Sequence, residues 1–399
     1  MKIGLLREEK VPPDKRVPLL PEQCQELMRL HSGLTIVAQP SDVRCAPNHA
    51  YEQAGVVLEE NLSSCDYIIG IKEVPVHLLI PNKTYAFFSH TIKAQAHNKK
   101  LLQTILERNI TLIDWEALVD KNGARVIAFG HFAGVVGAYN ALRLYGLKTK
   151  QYEMPPAYTL ESISEMRSYL PDSLPLRIVV TGTGRVSQGA AEILNSANFA
   201  QVSPAEFLQN PQRRECYTLL QSADYHEALN GSAFDREEFR QHPESFKSTF
   251  HRYIPSTDVL IAGAFWNPAA PRLFKLEQMK QQDFRIQLIA DITCDIGGSI
   301  PSTVKPTNMY DPAYDFNRFT GRIEAPFSTA PGMVTVMAVD NLPCEVPLEA
   351  SRDFGKQFID NVLPDFLSPA PDGLIARCAV AQGGKLCTPF DYLKSYVTN

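Results

Sequence analysis

Two titratable side chains stand where apolar runs stop. Ile68-Ile69-Gly70-Ile71-Lys72-Glu73-Val74-Pro75 carries a lysine past the C-terminal end of one strand-like run, and Phe87-Phe88-Ser89-His90 carries a histidine past the next. Open parallel sheets place ligands at such strand ends. A lysine there is partly desolvated, which lowers its pKa toward neutrality, while a histidine titrates near neutrality unaided; together they supply a base and an acid. Taken singly, Lys72 also reads as a solvated charge and His90 as a capping residue; their matching placement on successive strands favours chemistry. Glu73 and Glu116 read either as tuners of this pair or as ordinary surface charges. Arg16, in the loop after the first strand, and Arg125, in Gly123-Ala124-Arg125-Val126-Ile127, add two guanidinium groups. Guanidinium holds carboxylate bidentately, so two facing one cleft imply a substrate with more than one carboxylate.

A second kind of chemistry is written midway along the chain. The strand Leu176-Arg177-Ile178-Val179-Val180 runs into Thr181-Gly182-Thr183-Gly184-Arg185-Val186-Ser187-Gln188-Gly189-Ala190. A strand that ends in G-x-G and opens an Ala-rich helix lets the backbone approach a pyrophosphate, which then rests on the helix N-terminus. Ser187 stands where the third glycine of the pattern belongs, and an ordinary tight turn is the competing reading.

These residues need sheets to position them. Residues 1–130 alternate strand runs, such as Thr35–Ala38 and Thr111–Asp114, with helical patterns such as Pro21–Leu30, which predicts a parallel sheet with crossover helices. The expected fold class is α/β, with two Rossmann-like parallel-sheet domains and the active site in the cleft between them. The first, catalytic domain is residues 1–130 plus 347–399, and the second, dinucleotide-binding domain is residues 147–330. Glycine-spaced residues 131–146 and residues 332–346 are expected to be the interdomain crossings, both with long helices (about 130–146 and 332–342) and acting as a hinge; the polar, proline-punctuated residues 204–256 are expected to be an insertion of two or three helices.

Composition narrows the partners. A net charge of −5 with interspersed acids and bases, and no basic stripe, argues against nucleic acid. No apolar run approaches membrane-spanning length, and the first residues begin at once as a strand rather than a secretory leader. Eight cysteines without C-x-x-C or Cys/His ligand spacing predict free thiols in a reducing, cytoplasmic setting and no metal site. Small molecules are the expected partners.

Three stretches carry a family resemblance: residues 83–95 (Lys-Thr-Tyr-Ala-Phe-Phe-Ser-His-Thr-Ile-Lys-Ala-Gln), the glycine turn with Val186-Ser187-Gln188-Gly189-Ala190, and Asp291-Ile292-Thr293-Cys294-Asp295-Ile296-Gly297-Gly298-Ser299-Ile300. They resemble lysine–2-oxoglutarate reductase, the lysine-forming saccharopine dehydrogenase half of bifunctional aminoadipic semialdehyde synthase, in the alanine dehydrogenase superfamily. The match runs from Arg7-Glu8 through His242-Pro243-Glu244-Ser245-Phe246 and Trp266 to Val339-Asp340-Asn341-Leu342-Pro343. It implies condensation of the lysine ε-amine with the ketone of 2-oxoglutarate, then hydride transfer to the imine to form saccharopine. It also implies Lys72 and His90 as acid and base, and Arg16, Gln95, Arg125 and Phe129 around the substrate. Gly182, Gly184, Arg185 and Val186 would hold the pyrophosphate, and Asp291, Ile292 and Thr293 with Asp340, Asn341, Leu342 and Pro343 would border the nicotinamide. No second dehydrogenase follows within the chain, so the resemblance is to the reductase alone.

For the cofactor, NADP(H) is favoured, with NAD(H) as the alternative. The second strand of the nucleotide fold is expected at residues 199–203, and its tip, where an acid normally grips the ribose hydroxyls, is Ser203. Arg185, Arg213 and Arg214 are candidate cations for a 2′-phosphate, whereas Glu206 is a candidate ribose acid. The reductase that the chain resembles is NADPH-linked. Two other functions stay open: another amino-acid dehydrogenase of the alanine dehydrogenase type, and a non-catalytic nucleotide-sensing protein of the same fold.

Overall fold

β-Branched runs bounded by glycine and proline form the strands of two sheets in a computed structural model that describes residues 1–11 and 13–398. The chain separates into two units, Met1–Phe129 with Pro347–Asn399, and Gly130–Val346. Unit 1 opens with β1 (Lys2–Leu5), α1 (Pro21–Leu30), β2 (Thr35–Ala38), α2 (Asn48–Gln53), β3 (Val57–Leu58), β4 (Tyr67–Ile69), β5 (Thr84–Phe87), α3 (Lys99–Glu107) and β6 (Thr111–Asp114). Proline opens α1, where its missing N–H costs nothing, and the Gln23 side chain accepts the Leu20 N–H at 3.0 Å. All six strands run parallel, so every connection is a crossover and their ligand edge lies at one end.

Unit 2 begins with α4 (Gly130–Thr149) and α5 (Ile163–Ser168), followed by β7 (Arg177–Thr181), α6 (Arg185–Ser196), β8 (Ala200–Gln201), α7 (Pro204–Gln209) and β9 (Cys216–Leu220). Then come α8 (Ser222–Tyr225), β10 (His226–Ala228), α9 (Arg236–Gln241), β11 (Phe246–Ser248), β12 (Val259–Ala262), α10 (Leu276–Met279), β13 (Leu288–Asp291), β14 (Tyr314–Asn317), β15 (Ile323–Glu324) and β16 (Met333–Met337). The main sheet has the order β15-β14-β16-β13-β12-β7-β9-β8.

Four expectations change here. Helix α4 is a core element of unit 2 rather than a link: Gly134 and Gly189 let it lie on α6 so closely that a Cβ on Gly134 would fall 1.8 Å from the Val186 carbonyl oxygen. Residues 332–342 hold strand β16 in place of a helix, because Met333-Val334-Thr335-Val336-Met337 is β-branched and packs between β13 and β14. Within 204–256, Cys216–Leu220 belongs to the central sheet, so the insertion proper starts after it and includes the β10–β11 hairpin. The strand beside β7 is therefore β9, and β8 lies one place further out.

Unit 1 resumes with α11 (Pro347–Asn361), α12 (Leu363–Leu367), α13 (Leu374–Cys378), β17 (Ala381–Gln382), β18 (Lys385–Leu386) and α14 (Lys394–Thr398). Its sheet order is β18-β17-β6-β5-β4-β1-β2-β3, with β17 and β18 antiparallel. Phe354 and Phe358 of α11 meet the Trp115 indole edge-on, at 5.6 and 6.0 Å, while its Nε1–H donates to the Gly70 carbonyl at 2.8 Å. Truncating a buried aromatic of this kind costs roughly 3–5 kcal/mol. Among the described residues no helix is long and apolar enough to cross a membrane, and all eight cysteines are free thiols.

Candidate active site

The ligand edge of unit 1 carries Lys72 after β4 and His90 after β5, and Glu73 joins them. The Glu73 carboxylate lies 2.5 Å from His90 Nδ1 and 3.6 Å from the Lys10 ammonium. Burial raises its pKa, but the hydrogen bond and charge of His90, with Lys10, outweigh that and hold Glu73 at about 2. His90 takes a left-handed conformation (φ 53°), an unusual backbone state for a non-glycine residue. Asp114, at the end of β6, fixes that turn by accepting from the Ser89 N–H at 3.2 Å and hydroxyl at 2.5 Å. Lys72 is 8 % exposed, in keeping with the desolvation expected at a strand end.

Glu8 belongs to this group and was not singled out from the sequence. It follows β1 as Lys72 follows β4, and its carboxylate accepts the backbone N–H groups of Ile71 at 2.6 Å and Lys72 at 2.9 Å. Burial, then the nearby Asp14 carboxylate, push Glu8 up to about 8 despite those two donors. The signal was present in the sequence as an acid three residues past a strand; its partner was not.

Phe88 gathers the remaining residues. Its ring lies 6.3 Å from His90, 6.0 Å from Phe129 and 5.9 Å from the Arg125 guanidinium. Arg16 lies over the Phe129 ring at 4.2 Å, and Phe129 stacks on Phe354 at 4.7 Å. Asp14 grips Arg16 with both oxygens, at 3.0 and 2.7 Å, so this buried guanidinium is oriented by the protein. Glu116 lies 3.2 Å from Lys93 and 3.7 Å from Arg125. Thus Lys72, Glu73, His90, Arg16, Arg125, Phe129 and Glu116 all lie in one unit. Gln95 is in an exposed turn beyond His90, where its carbonyl accepts from the Tyr396 hydroxyl.

In unit 2 the glycine turn joins β7 to α6. Gly182 has φ +97° and touches the Ser187 hydroxyl, where a Cβ would come within 2.8 Å; the space beside Gly184, which opens α6, is clear. Ser187, in the third glycine's place, donates to the Thr181 carbonyl at 3.1 Å and ties helix to strand. Arg185 and Val186 form the first turn of α6. The Asp291 carboxylate is taken up by Thr293 (2.7 Å) and Thr303 (2.6 Å), while Ile292 and Leu342 meet against Gly137. Asp340 is exposed, and Asn341 donates to the Cys344 sulfur at 2.6 Å.

The residues expected to read the ribose are elsewhere. Ser203 caps α7, its hydroxyl accepting the Glu206 N–H at 3.1 Å, beside the outermost strand rather than the one next to β7. Arg213 pairs with Glu206, and Arg214 pairs with Asp258 at 2.7 Å. Both arginines precede β9, at the sheet edge opposite the glycine turn, where Arg177 holds the Arg213 carbonyl. The chain signal that was missed is Cys216-Tyr217-Thr218-Leu219-Leu220, an apolar run amid charged neighbours.

Comparison with known proteins finds similarity along the chain. Residues 4–136 match the N-terminal domain of the alanine dehydrogenase/PNT family. The mitochondrial alpha-aminoadipic semialdehyde synthase of Bos taurus is 31 % identical, over 100 % of this chain and 48 % of its own length. The chain thus spans about half of the curated relatives of this kind. The NAD(+), L-lysine-forming saccharopine dehydrogenase of Neurospora crassa is 24 % identical over 90 % of each chain. Among solved structures, an L-alanine dehydrogenase shares the fold, with a TM-score of 0.67, 16 % identity and full coverage of both chains. The chain is thus similar over its length to one portion of the aminoadipic semialdehyde synthases and to a lysine-forming saccharopine dehydrogenase, and its first third matches the alanine dehydrogenase/PNT N-terminal domain.

Proposed function

We propose that this chain is a nicotinamide-dependent oxidoreductase that interconverts lysine plus 2-oxoglutarate and saccharopine. The observation that carries the reading is the Lys72–Glu73–His90 group, set beside two arginines on an aromatic platform within unit 1. Forming a carbinolamine and expelling water from it each need a proton moved, and Lys72 and His90 serve as base and acid for those steps. Glu73 keeps a negative charge at neutral pH and orients the His90 ring through its Nδ1. Arg16 and Arg125 hold the dicarboxylate. Their rigid seating on Phe129 and Phe88 favours one orientation of the ketone carbon.

The dinucleotide would rest on Gly182, Gly184, Arg185 and Val186, with Ile292 and Leu342 toward its nicotinamide, and it supplies the hydride when bound. NADP(H) is our favoured form, and Arg185 is the cation from the sequence reading that stays at the turn. The eight free thiols support a reducing compartment, the cytoplasm in this reading. The test is cofactor oxidation by the purified chain. It should require lysine and 2-oxoglutarate together; equal rates with ammonia in place of lysine would refute the assignment.

A further inference from the structure

At the ligand edge of the unit 2 sheet, Thr181 at the end of β7 and Ser222 just past β9 border a cavity of about 260 Å³. Sheets of this type place the adenosine ribose at the tip of the strand beside the glycine-turn strand, where an acid selects NAD(H) or an arginine admits NADP(H). That strand here is β9. The cavity wall includes Arg236 and Arg240, four residues apart on α9, and no Asp or Glu. The acid nearest the β9 tip, Asp224, is engaged at the start of its own helix, accepting the Gln221 N–H at 2.8 Å. Arg240 shares its charge with exposed Glu237 at 2.7 Å, whereas Arg236 has no ion pair among the described residues.

Much of the rest of the wall is aromatic, beside polar Thr181, Ser222, Asn267 and Ser299. The His226 ring lies 4.4 Å from each of the Tyr225 and Phe239 rings, tilted against both, and Trp266 lines the same cavity. Burial holds His226 down at about 4, so it adds an uncharged ring at neutral pH. An aromatic wall beside guanidinium groups, with no carboxylate to repel an anion, suits a purine nucleoside that carries a phosphate on its ribose.

We infer that this cavity takes the adenosine end of the dinucleotide, and that Arg236 and Arg240, from the segment between β9 and β12, read the 2′-phosphate of NADP(H). The inference rests on the dinucleotide reading of unit 2 proposed above. Calorimetric titration of the full chain tests it, using NADPH, NADH, adenosine 2′,5′-bisphosphate and adenosine 5′-monophosphate on the wild type and the Arg236→Ala/Arg240→Ala double variant. The wild type should bind each 2′-phosphorylated ligand about tenfold or more tighter than its counterpart, a difference of about 1.4 kcal/mol. The double variant should lose that preference and keep its NADH affinity. A wild type without the preference, or a variant that retains it, would overturn the role of these arginines and leave the dinucleotide reading standing. Binding of neither NADPH nor NADH would overturn both.

Discussion

Lys72→Met and His90→Gln should each lower turnover about a hundredfold or more, the usual scale for losing a general acid or base. Because both residues belong to unit 1 and the glycine turn to unit 2, dinucleotide affinity measured by titration should stay within about twofold. Near-normal turnover in both variants would remove them from the chemistry. Glu8 makes a prediction of a different kind. Its folded pKa of about 8 lies above the usual 4.5, so its contribution to stability is fully present below about pH 4.5 and is lost as pH rises through 8. Glu345, buried in unit 2 and bonded to Asn140 at 2.9 Å, is also raised by burial to about 8 and has the same sign. Urea unfolding at pH 6 and pH 9 should show the wild type weaker at pH 9. Glu8→Gln should reduce that difference, and adding Glu345→Gln should reduce it further; an unchanged slope in the double variant would refute the assignment. Glu73 has the opposite sign, its contribution fading as pH falls from 4.5 toward 2.

The contact of α4 with α6 sets a similar test for a whole element. Alanine at a helix-interior glycine ordinarily gains up to about 1 kcal/mol. At Gly134 the added Cβ would meet the Val186 carbonyl at 1.8 Å, and overpacking of that kind costs about 1–3 kcal/mol or more. Gly134→Ala should therefore destabilise the protein by roughly 1–2 kcal/mol net, read as a lower urea midpoint; a midpoint at or above wild type would mean that the two helices can spread. The glycine spacing of α4 was legible in the sequence, but its partner was not, because close packing on a link and on α6 demand the same residues. Strands buried on both faces, such as Thr35–Ala38 and Arg177–Thr181, were legible as continuous apolar runs. Strand β9 has the same character but lies between Arg213-Arg214-Glu215 and Gln221-Ser222-Ala223-Asp224, which hid it in a charged stretch. Met333–Met337 was misread because five apolar or β-branched residues carry no clear period, and β-branching should have decided. Lys72 and His90 could be found because a strand end is a local feature. The bond of Glu8 to Lys72 spans 64 residues and depends on β1 lying beside β4, which local pattern does not encode.

At the scale of the molecule, each unit has its own apolar core, and ligands should stabilise them separately. A dinucleotide at a hundred times its Kd adds about 2.7 kcal/mol to the state that binds it. Hydrogen exchange should then slow at the turn of residues 182–186, while lysine with 2-oxoglutarate should slow exchange around Lys72 and His90. The reverse pattern would interchange the roles of the two units. The discontinuity of unit 1 also has a consequence during synthesis. Unit 2 is one unbroken stretch, Gly130–Val346, whereas β17 reaches the edge of β6, and Phe354 and Phe358 reach Trp115, only from the returning segment. On a ribosome adding roughly 5–20 residues per second, the nascent Met1–Phe129 segment waits on the order of 10–50 seconds with one sheet edge unpaired and an indole uncovered. Exposed strand edges and apolar surface are what holdase chaperones bind and what aggregation exploits. The need for chaperone protection therefore falls on Met1–Phe129, and it lasts until Pro347–Asn399 emerges.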